Sequence, residues 1–158
     1  MKTETAYFAA GCFWGVEEAF RTTPGVMSTA VGFMGGTLDN PSYKAVCGGD
    51  TGHAETTEVV FDPEKISYEA LLEMFWKMHD PTQVDRQGPD YGSQYRSAIF
   101  TTTPEQETKA IASKENEQKN GGHVAPIATV IQSAPTFWKA EDYHQQYFLK
   151  NGGGVCHI

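Results

Sequence analysis

The order of its predicted strands and helices is the feature that most restricts the fold of this chain. Strand-like apolar segments and segments with apolar residues at helical spacing alternate along it, separated by glycine and proline. The predicted strands are residues 3–9, 26–33, 56–61, 96–102 and 127–132, and the predicted helices include residues 12–21, 71–78 and 103–119. The first six elements follow the order of the split βαβ, ferredoxin-like unit. We therefore expect an α+β two-layer sandwich with this core and an extra helix and strand.

Two long segments, residues 37–52 and 81–95, show no periodic apolar pattern and are predicted to be loops. Loops of this length in a compact domain are usually functional or disordered, and we expect both to lie beside the start of the first helix. Residues 150–158 contain three consecutive glycines and are expected to form a flexible tail. Because aromatic residues are spread along the chain and no repeat occurs, residues 1–158 are predicted to form a single domain.

The charge balance and the apolar runs exclude several classes of protein. With 20 acidic against 12 Lys and Arg residues, the net charge is -8, which repels a phosphate backbone and argues against nucleic acid as a partner. No apolar run approaches the roughly 18 residues that a membrane helix needs, and the first ten residues lack a secretory signal core. We expect a soluble, cytoplasmic monomer that does not bind membranes.

The three cysteines, Cys12, Cys47 and Cys156, are too few for a disulfide scaffold in a chain of 158 residues. No Cys-x-x-Cys pair occurs, which argues against a thioredoxin-like motif and a zinc ribbon. His53 could pair with Cys47, but the spacings of histidine and cysteine match no zinc pattern. No metal site is therefore predicted.

Cys12 stands where a strand gives way to a helix, within Gly-Cys-Phe-Trp-Gly. The backbone N–H groups at a helix N-terminus lower the pKa of a thiol, and Gly11 has no side chain to block the sulfur. A free cysteine is as often a small buried hydrophobic residue, so both interpretations remain open here. The adjacent Phe13 and Trp14 could form a pocket for an S-methyl group or simply pack in the core.

Position alone does not single out the polar candidates as functional residues. Glu55 precedes a predicted strand, where it is either a general acid in an apolar pocket or a solvated carboxylate at a strand edge. Tyr43, Asp90 and Tyr95 fall in the two long predicted loops, where polar residues are common. Cys156 follows the three glycines, so it is either a resolving cysteine on a flexible arm or an unstructured thiol.

Five motifs in one order cover nearly the whole chain and resemble the peptide methionine sulfoxide reductase A family. They are Gly-Cys-Phe-Trp-Gly at 11–15, Gly-Gly at 35–36 with Tyr43, Thr-Gly-His-Ala-Glu at 51–55, His-Asp-Pro-Thr-Gln at 79–83 and Tyr-Gly-Ser-Gln-Tyr-Arg-Ser at 91–97. One five-residue match would be a weak signal, whereas this ordered set is highly specific. The resemblance implies an oxidoreductase that reduces the S epimer of methionine sulfoxide, free or in proteins.

The resemblance also implies a role for each polar candidate. Cys12 would be the nucleophile, and Glu55 would protonate the sulfoxide oxygen. Tyr43 and Tyr95 would hold that oxygen by hydrogen bonds, and Asp90 would support the polar side of the site. These roles agree with the chemistry, because a sulfoxide oxygen leaves poorly unless it is protonated or hydrogen-bonded.

Substrate binding and recycling follow from the same resemblance. Phe13 and Trp14 would cradle the methyl group. The sulfenic acid left on Cys12 would be resolved as a disulfide with Cys156, or alternatively with Cys47. Thioredoxin would be the external reductant, and no metal or organic cofactor would be needed.

Two other functions share parts of this pattern. A thiol peroxidase also uses a reactive and a resolving cysteine, but it commonly needs an arginine near the nucleophile, and Arg21 lies at the far end of the predicted helix. A redox-sensing module would bind methionine sulfoxide without turnover.

Overall fold

The computed structural model of the protein describes residues 2–48 and 51–151. The strands in these residues are β1 Glu4–Ala10, β2 Val26–Met34, β3 Ala54–Phe61, β4 Arg86–Gln87, β5 Asp90–Tyr91, β6 Ser97–Thr101, β7 Val130–Ser133 and β8 Trp138–Lys139. The helices there are α1 Phe13–Arg21, α2 Tyr43–Cys47, α3 Tyr68–Lys77, α4 Pro104–Asn120 and α5 Tyr147–Asn151. None of these helices is long and apolar enough to cross a membrane.

The main sheet has the strand order β7-β6-β1-β3-β2-β8. Its four central strands are antiparallel, since β1 pairs with both β3 and β6, and β2 pairs with β3. This is the strand order that the split βαβ unit produces, so the predicted α+β sandwich with a ferredoxin-like core is confirmed. The extra strands extend the sheet, β7 parallel to β6 and β8 antiparallel to β2.

Helices α1 and α3 pack on one face of the sheet, to which β1 contributes every second residue. Ala6, Phe8 and Ala10 point to one face, as the two-residue period of a strand requires, and are fully buried. On that face the ring of Phe8 lies 5.1 Å from the ring of Phe20 in α1 and 5.5 Å from that of Phe75 in α3. Both helices are therefore fixed on the first strand.

Phe8→Ala is expected to lower the free energy of unfolding by about 3–5 kcal/mol, because it removes a fully buried ring and leaves a cavity. Urea denaturation of the variant and the wild type measures the difference. Val130→Ala, at a half-exposed position of β7, is the control and is expected to have little effect. A loss below about 1 kcal/mol for Phe8→Ala would show that the core does not depend on this ring.

The predicted loops contain regular structure. Residues 37–52 include α2, whose start is capped by Ser42 accepting from the Ala45 N–H, and residues 81–95 include the β4–β5 hairpin and a 3-10 turn. Tyr43 therefore begins a helix and Asp90 lies in a strand, contrary to the prediction. Elements of two to five residues are too short to show a periodicity.

Three further differences lie toward the C-terminus. The strand predicted at residues 127–132 begins at Val130, and β8 and α5 were not predicted. Residues 150 and 151 belong to α5, whereas the rest of the predicted tail lies outside the described residues. The start of α4 is as predicted, with Thr103 accepting from the Gln106 N–H and Pro104 in the first turn.

Candidate active site

Cys12 occupies the turn between β1 and α1 and is the N-cap residue of that helix. Its side chain is 9% exposed. The turn depends on Gly11, whose φ of +99° lies in the region that glycine adopts and other residues avoid. The sulfur-bearing residue is therefore placed beside the first backbone N–H groups of α1, which carry partial positive charge.

Glu55 meets Cys12 at the start of α1. It is the second residue of β3, is 1% exposed, and its Oε1 accepts a hydrogen bond of 3.1 Å from the backbone N–H of Phe13. The carboxyl group and the thiol therefore share one helix N-terminus, although they are far apart in sequence. The pairing of β3 with β1 is what brings them together.

Two phenols lie in the same neighbourhood. Burial raises the pKa of Tyr43, as do a hydrogen bond with Cys47 and the charge of Glu55. Burial also raises the pKa of Tyr95, and the charges of Glu55, Cys47 and Asp90 act in the same direction. Both hydroxyl groups therefore remain protonated donors at neutral pH.

Phe13 and Trp14 form an aromatic wall next to the thiol. Phe13 is buried, and its ring lies 5.6 Å from that of Phe33 in β2. Trp14 is half-buried and stacks on Tyr147 with 3.9 Å between ring centroids and 9° between planes. Tyr43 stacks on both of them at 6.2 Å. The two aromatics are held rigidly while part of Trp14 stays accessible.

His144 completes this wall and was not among the predicted site residues. Its Nδ1 accepts a hydrogen bond of 2.9 Å from Nε1 of Trp14, and its ring lies 4.3 Å from that of Tyr43. An indole N–H can only donate, so Nδ1 is unprotonated. Burial lowers the pKa of His144, which keeps the ring neutral with its proton on Nε2. That Nε2 is buried and has no hydrogen-bond partner among the described residues.

The segment that carries His144 is anchored by side chains from α1 and from the segment itself. The Glu17 carboxylate, 1% exposed, accepts 2.6 Å and 2.7 Å bonds from the Gln146 N–H and the Thr29 hydroxyl. Gln145 binds both the N–H and the C=O of Val31 in β2. In the sequence, this segment is a run of polar and aromatic residues at 141–147, for which no helix or strand was predicted. That run is the feature that could have drawn attention to His144.

The remaining predicted residues fall in different places. Cys47 is exposed at the end of α2, and its thiol is hydrogen-bonded to the side chain of Tyr43. Cys156 lies outside the described residues. His53 does not pair with Cys47: its Nδ1 accepts from the Gly36 N–H and its Nε2 donates to the Leu38 carbonyl. Within residues 2–48 and 51–151, no cluster of three His, Cys, Asp or Glu side chains is arranged to hold a metal ion.

Known proteins resemble this chain over nearly its whole length. Residues 4–158 match the family model described as peptide methionine sulfoxide reductase. A relative from Methanoculleus marisnigri, peptide methionine sulfoxide reductase MsrA, is 63% identical and covers 97% of this chain and 93% of its own length. The structure of methionine sulfoxide reductase A of Corynebacterium diphtheriae is 43% identical with a TM-score of 0.91, covering 98% of this chain and 77% of that one.

Two structures of Saccharomyces cerevisiae Mxr1 are also similar. The reduced form is 39% identical with a TM-score of 0.91 and covers 99% of this chain and 92% of that chain. The structure of the complex with Trx2 is 25% identical with a TM-score of 0.65 and covers 92% of this chain and 85% of that chain.

The site combines a cysteine at a helix start, a buried carboxyl group, two phenols and an aromatic wall. This combination is suited to a thiol-dependent oxidoreductase. The family model and the identity with its relatives then show that this chain belongs to the peptide methionine sulfoxide reductase family, in its MsrA branch. The resemblance seen in the five motifs is thereby confirmed.

Proposed function

We propose that this protein reduces methionine S-sulfoxide, free or within proteins, with Cys12 as the nucleophile and thioredoxin as the reductant. The observation that carries the proposal is the hydrogen bond from the Phe13 N–H to Glu55. It places a buried acid beside the thiol at one helix N-terminus. Such a pair can donate a proton to an oxygen while a thiolate attacks the atom bearing it.

In this proposal two groups on the sulfoxide sulfur, the methyl group and the oxygen, orient the substrate. The S-methyl group packs on Phe13 and Trp14, since contacts between sulfur-linked methyl groups and aromatic rings are favourable. The sulfoxide oxygen points to Glu55 and accepts hydrogen bonds from Tyr43 and Tyr95. The rigid stacking of Trp14 on Tyr147 supports a preformed methyl pocket.

Asp90 supports the polar side of the site by its charge next to Tyr95, whose pKa it raises. The neutral ring of His144 accepts the indole N–H of Trp14, and we assign it the role of holding Trp14 in the wall that receives the methyl group.

The chemical step transfers one oxygen atom. The Cys12 thiolate attacks the sulfoxide sulfur while the Glu55 carboxyl group gives its proton to the oxygen. A bond forms between Sγ of Cys12 and the sulfoxide sulfur, and the oxygen becomes a hydroxyl group. That hydroxyl group then passes to Sγ while the new S–S bond and the S–O bond of the sulfoxide break, so methionine leaves as the thioether and Cys12 is left as a sulfenic acid. The sulfoxide is reduced by two electrons and Cys12 is oxidised by two.

We assign resolution of the sulfenic acid to Cys156. Its thiolate attacks Sγ of Cys12, an S–S bond forms, and the hydroxyl group leaves as water. The contact of Trp14 with Tyr147 brings α5 next to the active site. Five residues lead from Asn151 to Cys156, and an extended chain of that length spans about 17 Å, which supports the reach.

Cys47 is the second candidate for resolution because its thiol contacts Tyr43 at the rim of the site. It is tied to α2, however, and partial desolvation by its surroundings raises the pKa of its thiol, which reduces the fraction of reactive thiolate at neutral pH. Thioredoxin then reduces the disulfide by thiol exchange, and the Mxr1 complex with Trx2 supports this choice of reductant.

Repair of oxidised proteins under oxidative stress is the role that follows from these steps. The three cysteines and the absence of a recognisable disulfide framework favour a reducing compartment, so we assign the enzyme to the cytoplasm, as a single catalytic domain and a monomer.

Turnover assays separate this function from its alternatives. With dithiothreitol as reductant, we expect steady methionine formation from the S-sulfoxide and none from the R-sulfoxide. Rapid reduction of hydrogen peroxide together with no methionine formation would instead identify a thiol peroxidase. Binding of the sulfoxide without turnover would identify a sensing module.

Glu55→Gln is expected to slow methionine formation in a single turnover by about 10²-fold or more, the usual scale for a lost general acid. Glutamine can still accept the Phe13 N–H and donate a hydrogen bond, but it cannot give a proton. Quenched-flow measurement at saturating S-sulfoxide reports the chemical step. Glu69→Gln, at an exposed position of α3, is the matched control. An unchanged rate in Glu55→Gln would move the acid role to Tyr43 or Tyr95.

A further inference from the structure

Gln87 in β4 is a buried side chain that the proposed mechanism does not use. It is 3% exposed. Its Oε1 accepts a hydrogen bond of 2.9 Å from the Asp80 N–H, and its Nε2 donates one of 2.9 Å to the Asp80 carbonyl. The oxygen and the nitrogen of the amide are therefore both hydrogen-bonded to the backbone of one residue, just beyond the end of α3. These two hydrogen bonds to the backbone of Asp80 fix the rotamer of Gln87.

The stem of the same side chain packs against the turn that carries Cys12. A β-carbon added at Gly11 would lie 2.9 Å from Cγ and 3.0 Å from Cβ of Gln87, too close for either group to stay where it is. Gly11 thus lacks a side chain in the place that Gln87 fills. The stem of Gln87 therefore lies directly against the turn that carries Cys12.

Gln87 also faces the polar side of the site. It pairs with Asp90 across the β4–β5 hairpin, and the Gly92 N–H closes that hairpin on the Asp85 carbonyl at 2.9 Å. The 3-10 turn that ends at Tyr95 follows directly. One buried amide therefore connects the Cys12 turn, the end of α3 and the hairpin that leads to Asp90 and Tyr95.

We propose that Gln87 is a positioning residue for sulfoxide reduction, which holds the hairpin at the distance from Cys12 that the reaction needs. The role rests on the proposed function, because it acts through Asp90 and Tyr95. Its amide matters as well as its stem, since the two hydrogen bonds to Asp80 fix the end of the side chain. A misplacement of about 1 Å at a reacting group can cost about 10²-fold in rate.

Gln87→Met is the first test, because methionine keeps the length and the apolar stem but makes neither hydrogen bond. The rate of methionine formation in a single turnover at saturating S-sulfoxide is expected to fall by about 10-fold or more. Thermal unfolding is measured in parallel to correct for unfolded protein. Gln132→Met, on the exposed outer strand β7, is the matched control and is expected to react at the wild-type rate.

Gln87→Glu is the second test, because its rate per folded molecule is expected to depend on pH; thermal unfolding at each pH removes the effect of the charge on stability. A neutral carboxyl group can accept from the Asp80 N–H and donate to the Asp80 carbonyl, as the amide does. The ionised group repels that carbonyl. Burial raises the pKa of a carboxyl group, so the competent form is present at low pH and is lost as the pH rises.

The ratio of the Gln87→Glu rate to the wild-type rate is therefore expected to rise by about 5-fold or more when the pH falls from about 8 to about 5.5. The neighbouring titratable groups Asp80, Asp90 and Cys12 are present in both proteins, so the ratio removes their contribution. For Gln87→Met the ratio is expected to stay flat over the same range.

Two results would overturn the proposal. One is a wild-type rate for Gln87→Met after correction for folded protein. The other is a Gln87→Glu ratio that does not change with pH. If the wild type itself forms no methionine, the proposed function fails and this role fails with it, whereas a reactive wild type with unaffected variants refutes the role of Gln87 alone.

Discussion

Cys12→Ser is expected to lower methionine formation from the S-sulfoxide by about 10⁴-fold or more, the scale seen when a nucleophile is removed. A serine hydroxyl is not ionised at neutral pH, and the helix N-terminus that stabilises a thiolate does not change that. The side chain is small and nearly buried, so the fold is expected to survive. Single-turnover release of methionine measures the loss, and thermal unfolding checks the fold.

Substantial methionine formation by a folded Cys12→Ser preparation would exclude Cys12 as the nucleophile. The same assay on Cys47→Ser shows whether the other described thiol supplies the reactive sulfur instead.

Cys156→Ser is expected to reduce thioredoxin-driven turnover by about 10²-fold or more, because a sulfenic acid offers thioredoxin no disulfide to attack. About one methionine per enzyme should still form, since oxygen transfer precedes resolution. Comparing the burst with the steady-state rate measures both steps in one experiment, and peptide mapping after one turnover without reductant locates the disulfide.

Cys47→Ser is the matched control, and it is expected to retain thioredoxin-driven turnover if Cys156 resolves the sulfenic acid. Normal turnover in Cys156→Ser, together with a mapped link between Cys12 and Cys47, would reverse the assignment of the resolving cysteine.

The fold could be predicted because its main elements are long enough for their periodicity to show. Strands of five to nine residues and helices of nine to seventeen carry the core, and their order alone indicated the ferredoxin-like topology. The missed elements α2, β4, β5, β8 and α5 have two to five residues. Their positions depend on tertiary contacts, such as the Gln145 anchor on Val31, which no local pattern contains.

Site residues that are neighbours in the sequence could be predicted more directly than those that the fold brings together from distant positions. Cys12, Phe13 and Trp14 are adjacent, so their motif could be recognised directly. Glu55 lies 42 residues from Phe13, and His144 lies 130 residues from Trp14. The first distance is bridged by the resemblance to a known family, which implied the role that we propose for Glu55. The second was not bridged, because a single histidine among five carried no sign of its indole partner.

The central place of β1 in the sheet has a consequence for how the protein is made. Both strands that flank β1 are synthesised after it, and the second of them, β6, ends at Thr101. A ribosome adds roughly 5–20 residues per second, so a nascent chain carries Cys12 for several seconds before the sheet can close. During that interval the thiol has neither its helix end nor its buried acid. Oxidation of Cys12 on the ribosome would therefore follow the chemistry of an ordinary unfolded thiol, and activation by the helix N-terminus begins only when α1 and the sheet have formed.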